Sequence, residues 1–518
     1  MKKQSENWVE ASYRKAFQLK THGSPQQAYI LCEQILKTIP KQAETLSLMG
    51  IILGESNQKF AALEYFTKSI EARKNASAYN NRANLYQELK QYELALEDYD
   101  MAIKLNKKLV EAYYNKANCL RELHQMDEAI KVYKEAIQCD PSYHNAYTNL
   151  GMSYQNLQQH ALALEYYEKA LKIKPDDYYL HNNKGYALHV LMRIDESIAA
   201  YERARDIDPK ATEAKFNVGF LYLLKGEMEK GWKAHEERWD SKFRPMKLKN
   251  LWTGEDLTGK VIYVHHEQGL GDTIQFIRYA KHLKKLGAKR VIAGVKPEIA
   301  SLISTMPDID EVRIGADDIP EYDYQCPMMS LPYILKNDLT NIPKETYLKA
   351  DPEKVHEFSK KIPLKNNKLR VGLVWSGGFR KEQPELWAVN ERRNIPISKL
   401  SEIKRDDVEF YSLQIGEKTP EWMVDLTGDL KDFSDTAALI ENLDLVISVD
   451  TSTAHVAGAI GKPVWLLNRF DTCWRWLATG SKTDWYPSFT IYRQNKLHNW
   501  DNVVEDIKKD LDALVSSK

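Results

Sequence analysis

The chain of 518 residues is too long for one ordinary domain, and 28% of it is charged. Its 73 basic and 73 acidic residues cancel, so no net field directs it toward nucleic acid or an anionic membrane. The five cysteines, Cys32, Cys119, Cys139, Cys326 and Cys473, are scattered with no CxxC pair, which disfavours a zinc site or a disulfide framework and suits a reducing compartment. The opening MKKQSENWVE has no apolar core of a signal peptide, and no apolar run approaches a membrane span, so a cytoplasmic location is expected.

The N-terminal half is periodic. Small residues recur at Ala16, Gly50, Ala83, Ala117, Gly151, Gly185 and Gly219, spaced by 33 or 34. Twelve residues after each comes a second small residue: Ala28, Ala62, Ala95, Ala129, Ala163, Ser197 and Gly231. Four further on stand Phe66, Tyr99, Tyr133, Tyr167 and Tyr201, and Pro40, Pro141, Pro175 and Pro209 close four of the repeats. The pattern resembles the tetratricopeptide repeat, a helix–turn–helix unit of about 34 residues, in about seven copies. Asn81, Asn115, Asn149, Asn183 and Asn217 form one column two residues before the small position. Stacked repeats align such a column on one face, where amides pair with the backbone of an extended peptide or bond only to neighbouring repeats. The column resembles the asparagine ladder of O-linked N-acetylglucosamine transferases, which implies a protein partner held in the groove. Assembly of copies through the repeats is also open.

Only Trp8 precedes residue 232, and eleven of the twelve tryptophans follow it. The change begins at Gly231-Trp232 and runs through Trp239, Phe243-Arg244-Pro245 and Leu251-Trp252. An aromatic connector predicts a fixed docking rather than a flexible tether. The expected domains are a repeat array over 1–243, a connector over 244–259, and two α/β domains over 260–365 and 366–518.

From residue 260 strands alternate with helices, which predicts parallel sheets covered on both faces. The first series has strands at Val261–Val264, Arg290–Val295, Val312–Ile314 and Tyr322–Cys326, with a helical pattern from Ile274 to a stop at Gly287 and another over Pro297–Met306. A polar stretch at Lys360–Lys368 marks the junction. The second series has strands at Val371–Trp375, Val408–Leu413, Leu445–Val449, Val464–Leu467 and Thr490–Tyr492. The fold class is therefore an α-solenoid followed by two Rossmann-like α/β domains.

Two strand–turn–helix segments carry the chemistry. His266-Glu267-Gln268-Gly269-Leu270-Gly271-Asp272-Thr273 follows the first strand, with glycines that suit a tight turn and a close ligand. Asp450-Thr451-Ser452-Thr453-Ala454-His455 follows another strand, and its hydroxyls and free amides at a helix start suit a diphosphate. Asp272 reads as a general base for an acceptor hydroxyl, with helix N-cap as the rival reading. Glu267 and Gln268 position the acceptor or orient the loop. Ser376-Gly377-Gly378 ends a strand where backbone meets a phosphate or base, or makes a simple turn. Arg393, with Arg392 beside it, suits a diphosphate fork or a solvated loop, and Gln414 a base or ribose. His455 offers a hydrogen bond or a positive charge. Asp308-Ile309-Asp310 reads as a surface turn rather than a metal site.

These segments resemble the heptosyltransferase-like family, whose glycine-aspartate motif supplies a catalytic carboxylate and whose second segment binds the donor. With the preceding repeats, Trp232 and Trp239, the Glu267-Gln268 lead-in and Trp485-Tyr486-Pro487, the chain resembles bacterial repeat-fused glycosyltransferases, including those that modify flagellin, while Trp474-Arg475-Trp476 reads as a wall of the sugar pocket or as packing. The resemblance implies the two-domain GT-B layout and an inverting, metal-independent transfer from a nucleotide-sugar to serine or threonine of a protein, flagellin first among acceptors, with no cofactor. A transferase acting on lipopolysaccharide or another glycan, and a repeat scaffold with a degenerate transferase domain, remain as alternatives. Related proteins place an aspartate directly before the tryptophan-arginine-tryptophan run. Here Cys473 stands there and Asp471 lies two earlier.

Overall fold

The computed structural model describes residues 2–240, 249–315, 319–362, 368–378 and 387–517. The expected boundaries at 243/244 and 365/366, and the Phe243-Arg244-Pro245 part of the connector, lie outside the described residues. The chain divides into two compact units, one ending at Ala187 and the other spanning Leu188–Lys518.

The first unit is helical. From Pro25–Thr38 onward its helices alternate between 14 and 13 residues, which together with two short turns makes up the repeat period. The turn inside each repeat passes through one left-handed residue, in succession Asn57, Lys90, His124 and Gln158, with φ of 58° to 60°. The small positions are required by close packing of the paired helices. Ala16, Ala28, Ala62, Ala83, Ala95, Ala117, Ala129 and Ala163 are fully buried. A β-carbon on Gly151 would lie 2.6 Å from the Tyr167 ring, and one on Gly50 2.8 Å from the Phe66 ring. The aromatic sixteen residues on thus fills the space that the small residue leaves.

The asparagine column is built into this packing. Asn115 Nδ2 donates to Asn84 Oδ1 (3.0 Å), and Asn149 Nδ2 donates to Asn118 Oδ1 (2.7 Å) and to Tyr114 Oη (3.0 Å). The buried Tyr99 and Tyr133 hydroxyls donate to the same Asn84 and Asn118 oxygens. The amide donors of Asn115 and Asn149 therefore tie one repeat to the preceding one, as the neighbour-bonding reading of the column has it. Asn81 and Asn183 are half-buried in this unit, and Asn217 is half-buried in the second.

The second unit begins with the final repeat helices, Ile194–Ile207, Thr212–Lys225 and Met228–His235. Trp232 is buried edge-on against Trp474 and Phe276, and the Ala478 amide donates to the Leu224 carbonyl (3.1 Å), so the last repeat packs directly on the α/β region.

Two parallel sheets follow. The first contains β1 (Val261–His265), β2 (Arg290–Val295), β3 (Glu311–Ile314) and β4 (Tyr324–Pro327) in the order β3-β2-β1-β4. The second contains β5 (Leu369–Val374), β6 (Val408–Ser412), β7 (Val424–Asp425), β8 (Leu445–Val449), β9 (Val464–Asn468) and β10 (Phe489–Arg493) in the order β10-β9-β8-β5-β6-β7. Strand β7 is an addition to the expected set. In each sheet the chain starts in the middle, winds to one edge and then turns to the other side. Strand order therefore reverses between β1 and β4 and again between β5 and β8. Ligands of open α/β sheets bind beyond the carboxyl ends of strands at such reversals.

The helix after β1 also differs from expectation. It comes in three pieces, Leu270–Phe276, a tight 3₁₀ turn at Ile277–Tyr279, and Ala280–Lys285. The break falls where the Arg278 guanidinium takes the Gln275 carbonyl (2.7 Å), an acceptor that an unbroken helix would give to the amide of Tyr279. Among the described residues no helix is long and apolar enough to cross a membrane.

A Gly151→Leu substitution, larger than the alanine that Ala83 and Ala117 show to be tolerated, forces the Tyr167 ring out of its seat and is expected to destabilise the first unit by about 1–3 kcal/mol. Urea unfolding followed by far-UV circular dichroism measures this, and an unchanged midpoint contradicts the packing account.

Candidate active site

The loop after β1 is shaped by three local interactions. Gly269, not Asp272, is the helix N-cap, and Asp272 is the third residue of the helix. Its Oδ2 reaches back to accept the Gly269 amide (2.8 Å), which corrects the N-cap reading and satisfies one free donor of the helix start. Neither glycine takes a left-handed conformation; Gly269 has φ −76°. Gly271 is needed for space instead, since a β-carbon there would lie 2.9 Å from Cδ2 of His455. The first turns of the helices Leu270–Phe276 and Ser452–Ala459 therefore meet at bare backbone. Thr273 is buried and its hydroxyl donates to the Gly269 carbonyl (3.3 Å).

Glu267 orients this loop. Both its oxygens accept from the buried Arg238 guanidinium, at 2.9 and 3.0 Å, and Arg238 also binds Glu236 and the Ser330 hydroxyl. The Met329 amide donates to Glu267 as well (3.3 Å). Glu267 thus fixes the β1 and β4 ends together, the loop-orienting one of its two readings. Gln268 beside it is exposed.

The second sheet presents its own reversal point. Gln414 Oε1 accepts the amides of Trp375 (3.3 Å) and Ser376 (2.9 Å), so this atom shapes the end of β5 and is not held for a base or ribose. The Gly377 amide donates to Asn394 Oδ1 (2.8 Å). Arg393 lies directly over Gly377, where a β-carbon would collide with its guanidinium at 1.9 Å, and its Nη1 donates to the Asp450 carbonyl (3.0 Å). Gly378 is exposed, and residues 379–386 after it lie outside the described residues. Arg392 points elsewhere, into a buried ion pair with Asp471 (3.0 Å) that Arg469 shares (3.1 Å). Asp471 therefore serves that pair.

Beyond β8, Thr451 is the N-cap of the helix Ser452–Ala459, with its hydroxyl 3.2 Å from that of Ser448. Its side chain does not cap the helix, so the first amides, Ser452 to Ala454, keep the donors that a helix start leaves without an intrahelical partner. Ser452 is half-buried and Thr453 buried. His455 lies one turn in, stacked on Trp476 with ring centres 5.6 Å apart, its Nδ1 at 2.9 Å from the Tyr486 hydroxyl and its Nε2 at 3.8 Å from Asp450 Oδ1. Burial pushes its pKa down to about 4, with Arg475 and Arg278 adding to the effect and Asp450 and Asp272 opposing it. The imidazole is accordingly neutral near pH 7, a hydrogen-bonding group and not a cation. Burial resists ionisation of Asp450, but His455, Arg393, Arg475 and Arg469 outweigh it and hold the carboxyl below its ordinary value.

Several residues of the site are not evident from local sequence. Arg475 donates from Nη2 to Asp272 Oδ1, from Nε to Gln275 Oε1 and from Nη1 to Cys473 Sγ (3.2 Å), and it stacks on Trp474. Arg278 is buried among Tyr347, Trp485 and Tyr486 and donates to the Trp485 carbonyl (2.6 Å), fastening one α/β domain to the other. Leu477, next after Trp474–Trp476, has φ +56° and ψ 172°, a conformation that costs roughly 1–3 kcal/mol for a residue with a side chain. Arg493 holds it there by donating to the Trp476, Leu477 and Gly480 carbonyls. Buried donors gather nearby: Gln275 Nε2 and the indole nitrogens of Trp474, Trp476 and Trp485 have no acceptor among the described residues. Asp310 of the Asp308-Ile309-Asp310 turn accepts the Val291 amide (2.7 Å) and pairs with Lys284.

Burial also pushes the His189 pKa down to about 4 and that of His235 well below its ordinary value. Unfolded histidines take a proton near pH 6.5, whereas His189 and His455 take one only near pH 4, so their contribution is present above pH 6.5 and is lost as the pH falls toward 4. At pH 5 the loss is roughly 2 kcal/mol for each of these two. Thermal unfolding is expected at clearly lower temperature at pH 5 than at pH 7.5, and equal midpoints contradict buried neutral histidines.

The tetratricopeptide repeat profile matches residues 76–109, 110–143 and 144–177, and the glycosyltransferase family 9 (heptosyltransferase) profile matches residues 391–467. The latter stretch contains the Asp450–His455 turn and Arg393, whereas Asp272 lies outside it. The chain is 26% identical over 326 residues to Protein FlbA of Caulobacter vibrioides, a match that covers 55% of this chain and 53% of that protein, so it spans about half the length of this curated relative. Among solved structures, YrrB, a TPR protein with an unusual peptide-binding site, is 28% identical with a TM-score of 0.32, covering 35% of this chain and 93% of that one. MamA is 24% identical with a TM-score of 0.29, covering 31% and 94%. The chain thus joins a segment that matches tetratricopeptide repeats to a segment similar to glycosyltransferase family 9 (heptosyltransferase).

Proposed function

We propose that the chain is an inverting, metal-independent glycosyltransferase of the GT-B layout, moving a sugar from a nucleotide-sugar to a serine or threonine of a protein bound by the repeats. The observation that carries this reading is the meeting of two strand–turn–helix ends, one presenting a carboxylate and the other free helix amides. The diphosphate lies at the amides of Ser452–Ala454, where a helix start favours negative charge. Arg393 stands beside them, and neutral His455 supplies a hydrogen bond. The developing charge of the leaving group is met by these donors. Asp272 takes the proton of the acceptor hydroxyl as it attacks the anomeric carbon, and the single displacement inverts that centre.

The repeats support a protein partner, since tetratricopeptide arrays serve protein–protein interaction. Their asparagine ladder is partly spent on repeat-to-repeat bonds, so the groove holds its partner with other side chains as well. Flagellin is the first acceptor to test, in a cytoplasmic setting.

An Asp272→Asn variant is expected to lose transfer by at least about 10²–10⁴-fold, the size of a general-base contribution. Intact-mass analysis of candidate acceptors, flagellin first, from cells carrying the wild type, the variant or neither is the test, with EDTA leaving wild-type transfer in extracts unchanged. A mass increment that persists in the variant removes Asp272 from the mechanism. No increment on any protein removes the protein acceptor.

A further inference from the structure

Arg475 belongs to the turn between β9 and β10, on the side of the second sheet, yet its guanidinium ends on the carboxylate of the first. Its Nη2 donates to Asp272 Oδ1 across the space between the two helix starts. The rest of the group is held at its rim. Nε donates to the fully buried Gln275, one face lies on Trp474 with the guanidinium carbon 4.3 Å from the ring centre, and Nη1 donates to a thiol, a weak acceptor. Trp476, the next residue in the same turn, stacks on His455 of the helix Ser452–Ala459 with ring centres 5.6 Å apart, so the turn that carries Arg475 lies at the start of that helix as well as beside Asp272.

This pairing conflicts with the work of a base. The guanidinium occupies the Asp272 oxygen that does not hold the Gly269 amide, so an acceptor hydroxyl has no free carboxylate oxygen to reach while the pair is made. The same cation is well suited to a diphosphate, which carries more charge than one carboxylate and offers planar pairs of oxygens to the guanidinium fork. The strained Leu477 fixes the turn on which Arg475 stands.

We propose that Arg475 is a shared cation: it pairs with Asp272 while no donor is bound and turns to the diphosphate when the donor arrives, so that donor binding unmasks the base. The stacking on Trp474 and the bond to Gln275 keep the guanidinium in place while its outer nitrogens exchange partners. Two consequences follow. The donor binds before the acceptor is activated, and the proton is abstracted only when a leaving group is in place. The proposal rests on the assignment of Asp272 as base and of the helix Ser452–Ala459 as diphosphate site.

The full chain is titrated calorimetrically with ADP, GDP, UDP and CDP, in the wild type, Asp272→Asn, Arg475→Gln and the double variant. Asparagine keeps one oxygen for the Gly269 amide and replaces the oxygen that accepts from Arg475 by an amide donor, so both the charge and the Arg475 bond are removed. Arg475→Gln is expected to weaken the best-bound diphosphate by about 10- to 100-fold, as for loss of a charged hydrogen-bonding partner. Asp272→Asn is expected to tighten it about 3- to 10-fold by releasing Arg475, and in the Arg475→Gln background to change nothing. A gain from Asp272→Asn that is equal in both backgrounds means simple repulsion between the carboxylate and the phosphates, and overturns the proposal. Wild-type affinity in Arg475→Gln overturns it too. Should the glutamine variant lose its native circular dichroism, Arg475→Met, which keeps an apolar stem over Trp474, takes its place in the cycle. Absence of binding by all four nucleotides to the wild type contradicts the proposed function itself.

Discussion

The contact on which the site depends is the bare approach of Gly271 to His455. It lets the first turns of two helices, one from each parallel sheet, sit against one another. Helix starts carry partial positive charge, so bringing two together is unfavourable unless negative groups lie between them. Asp272 and Asp450 meet that need within the chain. The same field that tolerates these carboxylates attracts a diphosphate. Any side chain at residue 271 separates the helices and dissolves the arrangement.

Around this contact the second unit is fastened by long-range charges. Arg238 fixes Glu267 to the β4 end and to the last repeat helix, Arg278 crosses from the first sheet's helix to the Trp485 carbonyl, and Arg475 returns the other way. Each guanidinium is buried with several acceptors, the condition under which a desolvated charge is tolerated. Removing one partner of such a group leaves the other uncompensated, so the site is rigid where it is charged. The last repeat shares this framework through Trp232 and Arg238. Helix packing and site geometry are therefore not independent in this unit.

What was legible in the sequence follows the range of the interactions. Buried parallel strands read as short apolar runs, so nine of the strands and the fold class were apparent, while β7, with only Val424 and Asp425, carries no such signal. The repeat period is apparent because five of the seven small residues answer a phenylalanine or tyrosine sixteen positions later. The asparagine column was visible as a column, but its partners Asn84 and Asn118 stand 31 residues earlier, outside the column, and gave no sign of pairing. Gly269 and Gly271 suggest conformational freedom, yet the reason for Gly271 is a histidine on a helix of the other α/β domain. Arg475 and Asp272 are 203 residues apart, Gln414 gives its Oε1 to backbone amides, and Glu267 gives its oxygens to a distant arginine. No local spacing encodes such pairings.

The central claim is a division of labour, with phosphate at the second helix start and proton transfer at the first. A crystal structure of the chain with a bound nucleoside diphosphate tests it most directly. The account predicts phosphate oxygens at the amides of Ser452–Ala454, with Arg393 beside them and the Asp272 carboxylate across the gap and out of contact with the nucleotide. Phosphates seated instead on the Gly269–Asp272 turn, with the Ser452 helix start empty, would contradict it.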